Sequence, residues 1–349
     1  MAKILVTGSA GFIGHHVLKM LHQEGHEVLG LDSLNEYYDV NLKLGRLNDQ
    51  GFNVSEIEYG KKIHSADGLS FIKLDLADRP KILSLFESER FEYVVNLAAQ
   101  AGVRYSIEEP FAYVSSNLDG FMNILEACRQ IKVKHLVFAS SSSVYGMNEA
   151  IPFKETHVTD HPISLYAATK KSNELLAHSY AHLYNIPMTG LRFFTVYGPW
   201  GRPDMAIFLF TKAILKGEAI KVFNEGKMER DFTYVEDVAS GVLKSLFTPA
   251  RPEPDFDSKN PKTSISTAPY RIYNIGNSKP VNLLSFIDAL EEALGRTAKK
   301  DFLPLQAGDV VSTFADTSKL EEWIAYKPSK DLSEGIKAFV SWYKSYYNE

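Results

Sequence analysis

The chain has 349 residues, of which 45% are hydrophobic and 23% charged, and a formal net charge of -5. That length allows one large domain or two linked ones, and the usage is that of an ordinary globular protein. No basic patch argues for nucleic acid, the single cysteine (Cys128) excludes an internal disulfide and a cysteine metal cluster, and no apolar run approaches the ~20 residues of a membrane span. Met1-Ala2-Lys3 leads straight into an apolar run, so a cytoplasmic location is expected.

Ile4-Leu5-Val6 reads as a buried strand, and Ile13, Val17, Leu18 and Leu21 have helical spacing. Between them lies Thr7-Gly8-Ser9-Ala10-Gly11-Phe12-Ile13-Gly14. In a strand–turn–helix context Gly8 permits a tight turn, Gly11 lets backbone approach a pyrophosphate, and Gly14 lets helix and strand pack closely. The helix N-terminus then faces the phosphates with free N–H groups and a positive dipole. The next strand, from His26 to Leu31, ends in Asp32, eighteen residues past Gly14 and close to the ~20 expected of the acid that binds an adenosine ribose. An acid there accepts from a 2′-hydroxyl and repels a 2′-phosphate, which points to NAD and not NADP.

A polar connection with Tyr37 and Tyr38 leads to a helix over 40–48 and a strand over 69–74 that ends in Asp75-Leu76. Asp75 suits the adenine amino group or the cap of the next helix, capping being the commoner role. A strand over 93–96 runs into Leu97-Ala98-Ala99-Gln100, whose small residues let a cofactor lie against the strand end. A helix is expected over 111–130 and a strand over 135–139. Such alternation implies a parallel sheet with helices on both faces and ligands beyond its carboxyl ends.

Four serines, Ser140 to Ser143, close that strand, as hydroxyls beside a cofactor or as caps of a local turn. Tyr166 and Lys170 follow, four apart on one face of a helix over 164–184. A phenol with an ordinary pKa near ~10 needs help to act as a base, and an ammonium or an oxidised nicotinamide nearby gives it. After a strand over 188–193 come a Gly/Pro-rich loop over 195–205, a helix over 206–216, a strand over 220–223 and a turn at 224–226. Arg230-Asp231-Phe232-Thr233-Tyr234 opens a helix over 235–247. Residues 248–269 read as a mobile surface loop, 273–276 as a strand and turn, and 283–294 and 332–347 as helices. There is no internal repeat, and the histidines, His15 and His16 included, have no metal-site spacing. The fold expected is α/β: a Rossmann-type doubly wound parallel sheet over 1–190, also receiving about 229–250, and a smaller C-terminal α/β substrate domain over 191–349.

These pieces, in this order over nearly the whole length, resemble the extended short-chain dehydrogenase/reductases. Within them, the runs 96–106, 140–146, 165–171 and above all Leu191 to Met205 resemble the UDP-glucuronate 4-epimerases. The resemblance implies Tyr166 as base, Lys170 as its modulator, Ser141 as third member of the triad, and an NAD that is held tightly and recycled. It implies cofactor contacts from Gly8, Gly11, Phe12, Ile13, Gly14, Asp32, Asn35, Asp75, Leu76, Leu97, Ala98, Ala99, Gln100, Asn117, Ser140 and Phe193 besides Tyr166 and Lys170. It implies a UDP-sugar held by Ser141, Ser142, Ser143, Thr195, Arg202, Phe223, Arg230 and Asp309, no metal, and a homodimer formed by the helices over 111–130 and 164–184.

The chemistry of each residue leaves alternatives. Arg230 suits a diphosphate or an ion pair with Asp231 or Glu236; Phe223 suits a uracil or the core; Asp309 follows a glycine, as turn acids do. Arg202 suits a sugar carboxylate or the bracing of its own loop. Related dehydratases and decarboxylases carry an acid at or beside the places of Ser142 and Ser143, and without it elimination lacks its general acid. Epimerisation of a neutral UDP-sugar is the rival reading, since a neutral sugar needs no cation near C6. An NAD-binding regulator without turnover is a second, and it expects a damaged Tyr/Lys pair where both members are intact.

Overall fold

A computed structural model describes residues 1–305 and 311–349. The strands in chain order are Lys3–Thr7 (β1), Glu27–Asp32 (β2), Lys62–His64 (β3), Ser70–Lys73 (β4), Tyr93–Asn96 (β5), His135–Ser141 (β6), Met188–Phe193 (β7), Thr195–Tyr197 (β8), Ala219–Phe223 (β9), Glu229–Tyr234 (β10), Tyr270–Ile275 (β11), Pro280–Asn282 (β12), Lys299–Leu303 (β13) and Ser312–Thr313 (β14). The helices are Phe12–Gln23 (α1), Val40–Asp49 (α2), Arg79–Glu89 (α3), Tyr105–Glu108 (α4), Pro110–Tyr113 (α5), Gly120–Ile131 (α6), Leu165–Tyr184 (α7), Ala206–Lys216 (α8), Val235–Leu246 (α9), Leu283–Leu294 (α10), Ser318–Ile324 (α11) and Leu332–Tyr347 (α12).

Eight strands form one sheet in the order β11-β7-β6-β5-β1-β2-β4-β3, parallel throughout except that β3 runs antiparallel to β4. Strands buried on both faces carry nearly continuous apolar runs, and all six residues of β7 are buried. On one face α1 and α9 pack through Val17, Leu18, Leu21, Val238 and Val242. On the other, α3, α6 and α7 bury Ile82, Phe86, Phe121, Ile124 and Ala177. The chain turns from β2 on one side of β1 to β5 on the other. That reversal opens a crevice between the carboxyl ends of β1 and β5.

A second sheet has the order β12-β10-β14, with β8 beside β10, and β9 pairs with β13. Between them and α8, α10 and α12 lies a separate apolar core around Phe208, Phe232, Phe286 and Phe339.

The structure departs from the expected elements in several places, among them β8, a strand inside the loop expected over 195–205. The helix expected over 111–130 is made of α5, a π turn over Val114–Asp119 and α6, with α4 a separate turn before it. The strand near 273–276, read as part of the smaller C-terminal unit, is β11 and joins the large sheet beside β7, which itself spans position 190. The segment 248–269, expected to be a mobile surface loop, is anchored at its ends, where Ala250, Ser264, Ser266 and Ala268 are buried and Glu253 pairs with Arg271 at 3.1 Å, while most of 251–263 is exposed. A few isolated anchors at the ends of a polar segment leave no periodic signal in sequence.

Candidate active site

Gly8 has φ +70°, and a Cβ on it would stand 2.8 Å from the Ala98 nitrogen, so the turn after β1 closes against the end of β5 only with glycine. A Cβ on Gly11 or Gly14 would meet the Gly8 carbonyl oxygen at 2.9 or 2.0 Å, so the second and third glycines are required by the turn itself. The α1 N-terminus has no side-chain cap and no acid in its first turn, leaving N–H groups and positive dipole for an anion. This cradle fits a dinucleotide pyrophosphate. A cleft of about 660 Å³ extends from it, lined by Gly8, Gly11, Phe12, Ile13 and Gly14.

Further along the lining come Asp32, Asn35, Asp75, Leu76, Leu97, Ala98, Ala99 and Gln100. Asp32 accepts from the Leu34 amide at 2.8 Å. Lys43, which spacing did not single out, stands 3.8 Å from Asp32 and donates to Asn35 Oδ1 at 2.6 Å. Asp75 accepts from the Ala77 amide at 2.8 Å, whereas the cap of α3 is Asp78. The helix-capping alternative for Asp75 is thereby corrected.

At the far end the cleft is lined by Ser140, Ser141, Ser142, Ser143, Tyr166, Lys170, Phe193, Thr195 and Arg202. Ser164 caps α7, accepting from the Ala167 amide at 3.1 Å, and so starts the helix that presents Tyr166, Lys170 and Glu174 on one face. Lys170 Nζ donates to the Ala139 carbonyl at 2.9 Å, and burial pushes its ammonium down to about 8. Burial raises the Tyr166 phenol above its ordinary value; a hydrogen bond with Ser141 and the charge of Arg202 oppose this. Ser141 also accepts from the Ser143 amide at 3.2 Å, so it serves the turn and faces the phenol together. The Ser140 hydroxyl points behind the lining and donates to Glu174 at 2.6 Å. Glu174 is paired with Arg192, 2.8 Å away, and the two side chains are 2% and 0% exposed. Arg192 lies opposite Ser140 in the β6/β7 ladder and opposite Asn274 in the β7/β11 ladder.

Arg202 is already engaged. Nε donates to Asp204 Oδ1 at 3.0 Å and Nη2 to Asp204 Oδ2 at 2.5 Å, and the Tyr37 hydroxyl approaches the same carboxylate at 3.3 Å. Burial and the Asp204 charge push the Tyr37 phenol up to about 12.

Three expected contacts do not line this cleft. Asn117 is buried in the π turn, where it bonds both backbone groups of Gln100 and, at 3.0 Å, Thr169; it positions the end of β5 against α7. Phe223 is half-buried with the Arg104 guanidinium over its ring at 5.9 Å. Arg230 donates to the carbonyls of Glu229 and Val311 at 2.8 and 3.1 Å. The Asp231 carboxylate accepts from the amides of Asn277, Ser278 and Ala315. Asp309 lies outside the described residues. Besides Lys43, sequence reasoning missed Asp204, whose signal was its place two residues after Arg202, and Tyr37 and Tyr38, which the same cleft includes.

Among the described residues no three His, Cys, Asp or Glu side chains are grouped to hold a metal, and no helix is long and apolar enough to cross a membrane.

Known proteins resemble the chain over its full length. "Protein CapI" of Staphylococcus aureus is 50% identical over 347 residues, covering 99% of this chain and all of that one. A probable UDP-glucuronate 4-epimerase of Rhizobium meliloti is 46% identical over 346 residues, covering 99% and 98%. The crystal structure of UDP-glucuronic acid 4-epimerase from Bacillus cereus, in complex with UDP-glucuronic acid and NAD, is 33% identical with a TM-score of 0.83, covering 99% of this chain and 100% of that one. The family model of the NAD dependent epimerases/dehydratases matches residues 4–276, and the chain belongs to that family.

Proposed function

We propose that this NAD-dependent sugar-nucleotide epimerase interconverts UDP-glucuronate and UDP-galacturonate. The observation that carries the reading is one chamber in which Tyr166, the serine turn and the Arg202 cation meet. The names of the Rhizobium and Bacillus relatives support it.

Bound NAD supplies a hydride acceptor and, while oxidised, a positive charge beside Tyr166. Tyr166, as phenolate, takes the proton of the sugar 4-hydroxyl as C4 gives up its hydride; once the 4-keto sugar has turned its other face to the returning hydride, Tyr166 gives the proton back to the same oxygen, so C4 is inverted with no net redox change. Ser141 donates to the same sugar oxygen. Lys170, fixed on the Ala139 carbonyl, adds positive charge under the phenol. The 4-keto uronate is a β-keto acid, and it keeps its CO₂ only if the carboxylate stays charged, hydrogen-bonded and out of line with the carbonyl π system. The proposal gives that task to Arg202, through the edge Asp204 does not hold, and to the hydroxyls of Ser142, Ser143 and Thr195. No carboxyl stands at Ser142 or Ser143 to drive elimination.

The purified protein is incubated with UDP-glucuronate, UDP-glucose and UDP-N-acetylglucosamine in turn. An epimer of UDP-glucuronate at least tenfold faster than of either neutral sugar is the expected result; the reverse order refutes the assignment. The proposal includes a homodimer, since Phe111 on α5 and Leu175 and Leu183 on α7 are 82%, 60% and 64% exposed. Light scattering at micromolar concentration should give twice the chain mass.

A further inference from the structure

Arg46, on α2, is 0% exposed. A guanidinium has five N–H groups, and here each meets a neutral oxygen. Nε and Nη2 both donate to the Trp200 carbonyl, at 3.2 and 2.7 Å. Nη1 donates to the Ala10 carbonyl at 2.9 Å and to the Tyr38 hydroxyl at 3.3 Å, and Nη2 also reaches the Gly201 carbonyl at 3.4 Å. A fully buried cation held by neutral carbonyls is a costly way to stabilise a fold.

The two ends of this bridge have different tasks. Ala10 sits between Gly8 and Gly11 in the pyrophosphate turn, and Gly201 immediately precedes Arg202. Trp200 holds a left-handed φ of +62°, a strained conformation for a bulky residue, and such strain persists only where surroundings enforce it. The surroundings are Arg46, the His15 ring at 5.5 Å, and Trp342 and Tyr346 of α12 at 5.2 and 5.0 Å. A second tie runs parallel: His16 Nε2 lies 3.0 Å from the Pro199 carbonyl.

We propose that Arg46 is a positioning residue that registers the substrate-side loop, Pro199 to Arg202, on the pyrophosphate loop, so that cofactor retention and the placement of Arg202 are one coupled property. This rests on the reading that Arg202 faces the sugar carboxylate. It requires that loosening Arg46 disturb two places that do not touch each other's ligand.

The test compares the holoenzyme as purified with Arg46→Met, Arg202→Ala and the double variant. Three readouts are taken: NAD retained through gel filtration, CO₂ released per UDP-galacturonate formed, and amide exchange of segments 8–14 and 198–205 against α10 as control. Arg46→Met should lose NAD at least tenfold faster, exchange both segments at least tenfold faster, and raise CO₂ release. Arg202→Ala should raise CO₂ release with NAD retained. The double variant should release no more CO₂ than Arg202→Ala, because Arg46 acts through Arg202. Arg46→Lys, with one point charge for five forked donors, should fall between and serves where Arg46→Met does not fold.

Retained NAD with native exchange in a merely less heat-stable Arg46 variant overturns the proposal. So does NAD loss with an undisturbed 198–205 segment, and so does additive CO₂ release. If Arg202→Ala releases no CO₂, the carboxylate reading fails, and the paired exchange of the two segments alone decides the role of Arg46.

Discussion

Arg202→Ala tests how the carboxylate is held. In the structure two charge-assisted bonds to Asp204 fix the guanidinium, at 3.0 and 2.5 Å. One such bond to a substrate carboxylate is worth about 1.5–3 kcal/mol, and ~1.4 kcal/mol is tenfold in rate. The variant should therefore shift the partition between epimerisation and CO₂ loss by about 10- to 100-fold. It should also weaken UDP-glucuronate binding and leave UDP-glucose binding unchanged. The structure adds a second effect. Burial, the largest single influence, would raise the Asp204 carboxyl, and the Arg202 charge together with the hydrogen bonds from Arg202, the backbone and Tyr37 outweighs it and holds it low. Without Arg202 an unpaired acid faces the uronate. Arg202→Ala/Asp204→Asn removes that acid, so it should recover part of the lost affinity and none of the lost partition. The assay uses carboxyl-labelled UDP-glucuronate and counts released CO₂ against UDP-galacturonate formed. Native partition and affinity in Arg202→Ala would show that Arg202 serves only to brace its loop.

Tyr166→Phe removes the ionisable oxygen and keeps the ring, so it should retain NAD and lose on the order of 10²–10⁴-fold in epimerisation; near-native turnover rules Tyr166 out as base. Cofactor extracted from denatured protein should be NAD, because a carboxylate at Asp32 in the cleft would repel a 2′-phosphate, and recovery of NADP would mean that Lys43 outweighs Asp32. His135, the first residue of β6, is buried with Nδ1 at 2.9 Å from the Leu246 carbonyl and Nε2 at 2.9 Å from the Thr189 hydroxyl, and burial pushes it down to about 4. The unfolded chain binds this proton below pH 6.5 and the folded one only near 4, so stability is full above 6.5 and falls with acid. His135 alone should cost about 2 kcal/mol between pH 7.5 and 5. Urea midpoints should show this slope flattened in His135→Gln, and an unchanged slope refutes it.

The glycine turn and the Tyr166/Lys170 pair were legible because each depends on spacing within one turn or one helix, and Asp32 because it ends the strand that follows the turn's own helix. Asn117 was expected at the cofactor and acts one step behind it, because its partners are backbone groups of Gln100 that no local pattern reveals. Arg230 and Phe223 lie outside the cleft lining, and the bonds of Arg230 to the Glu229 and Val311 carbonyls and the Arg104 guanidinium over the Phe223 ring follow from no local pattern. Arg46, Glu174 and Lys43 escaped the sequence altogether. A buried charge whose partner lies on another element has no periodicity, and a charged residue on a helix reads as a solvated face. β11 was legible as a strand and not as a member of the large sheet, since strand order is decided by packing across long separations.

That last placement bears on how the protein is made. Ser140, Arg192 and Asn274 form one row across three strands, directly behind the serine turn. Asn274 leaves the ribosome about 80 residues after Arg192, roughly 4–16 s later at ~5–20 residues per second. During that interval Arg192 and Glu174 have no third strand beside them, and the α9 surface that shields α1 is only partly made. The nascent chain thus carries a finished glycine turn and an unfinished edge. An exposed parallel edge is a template for pairing with other chains. The wait for residues near 270 is an interval of exposed strand edge, and slowing synthesis between 193 and 275 should lengthen it and raise aggregation.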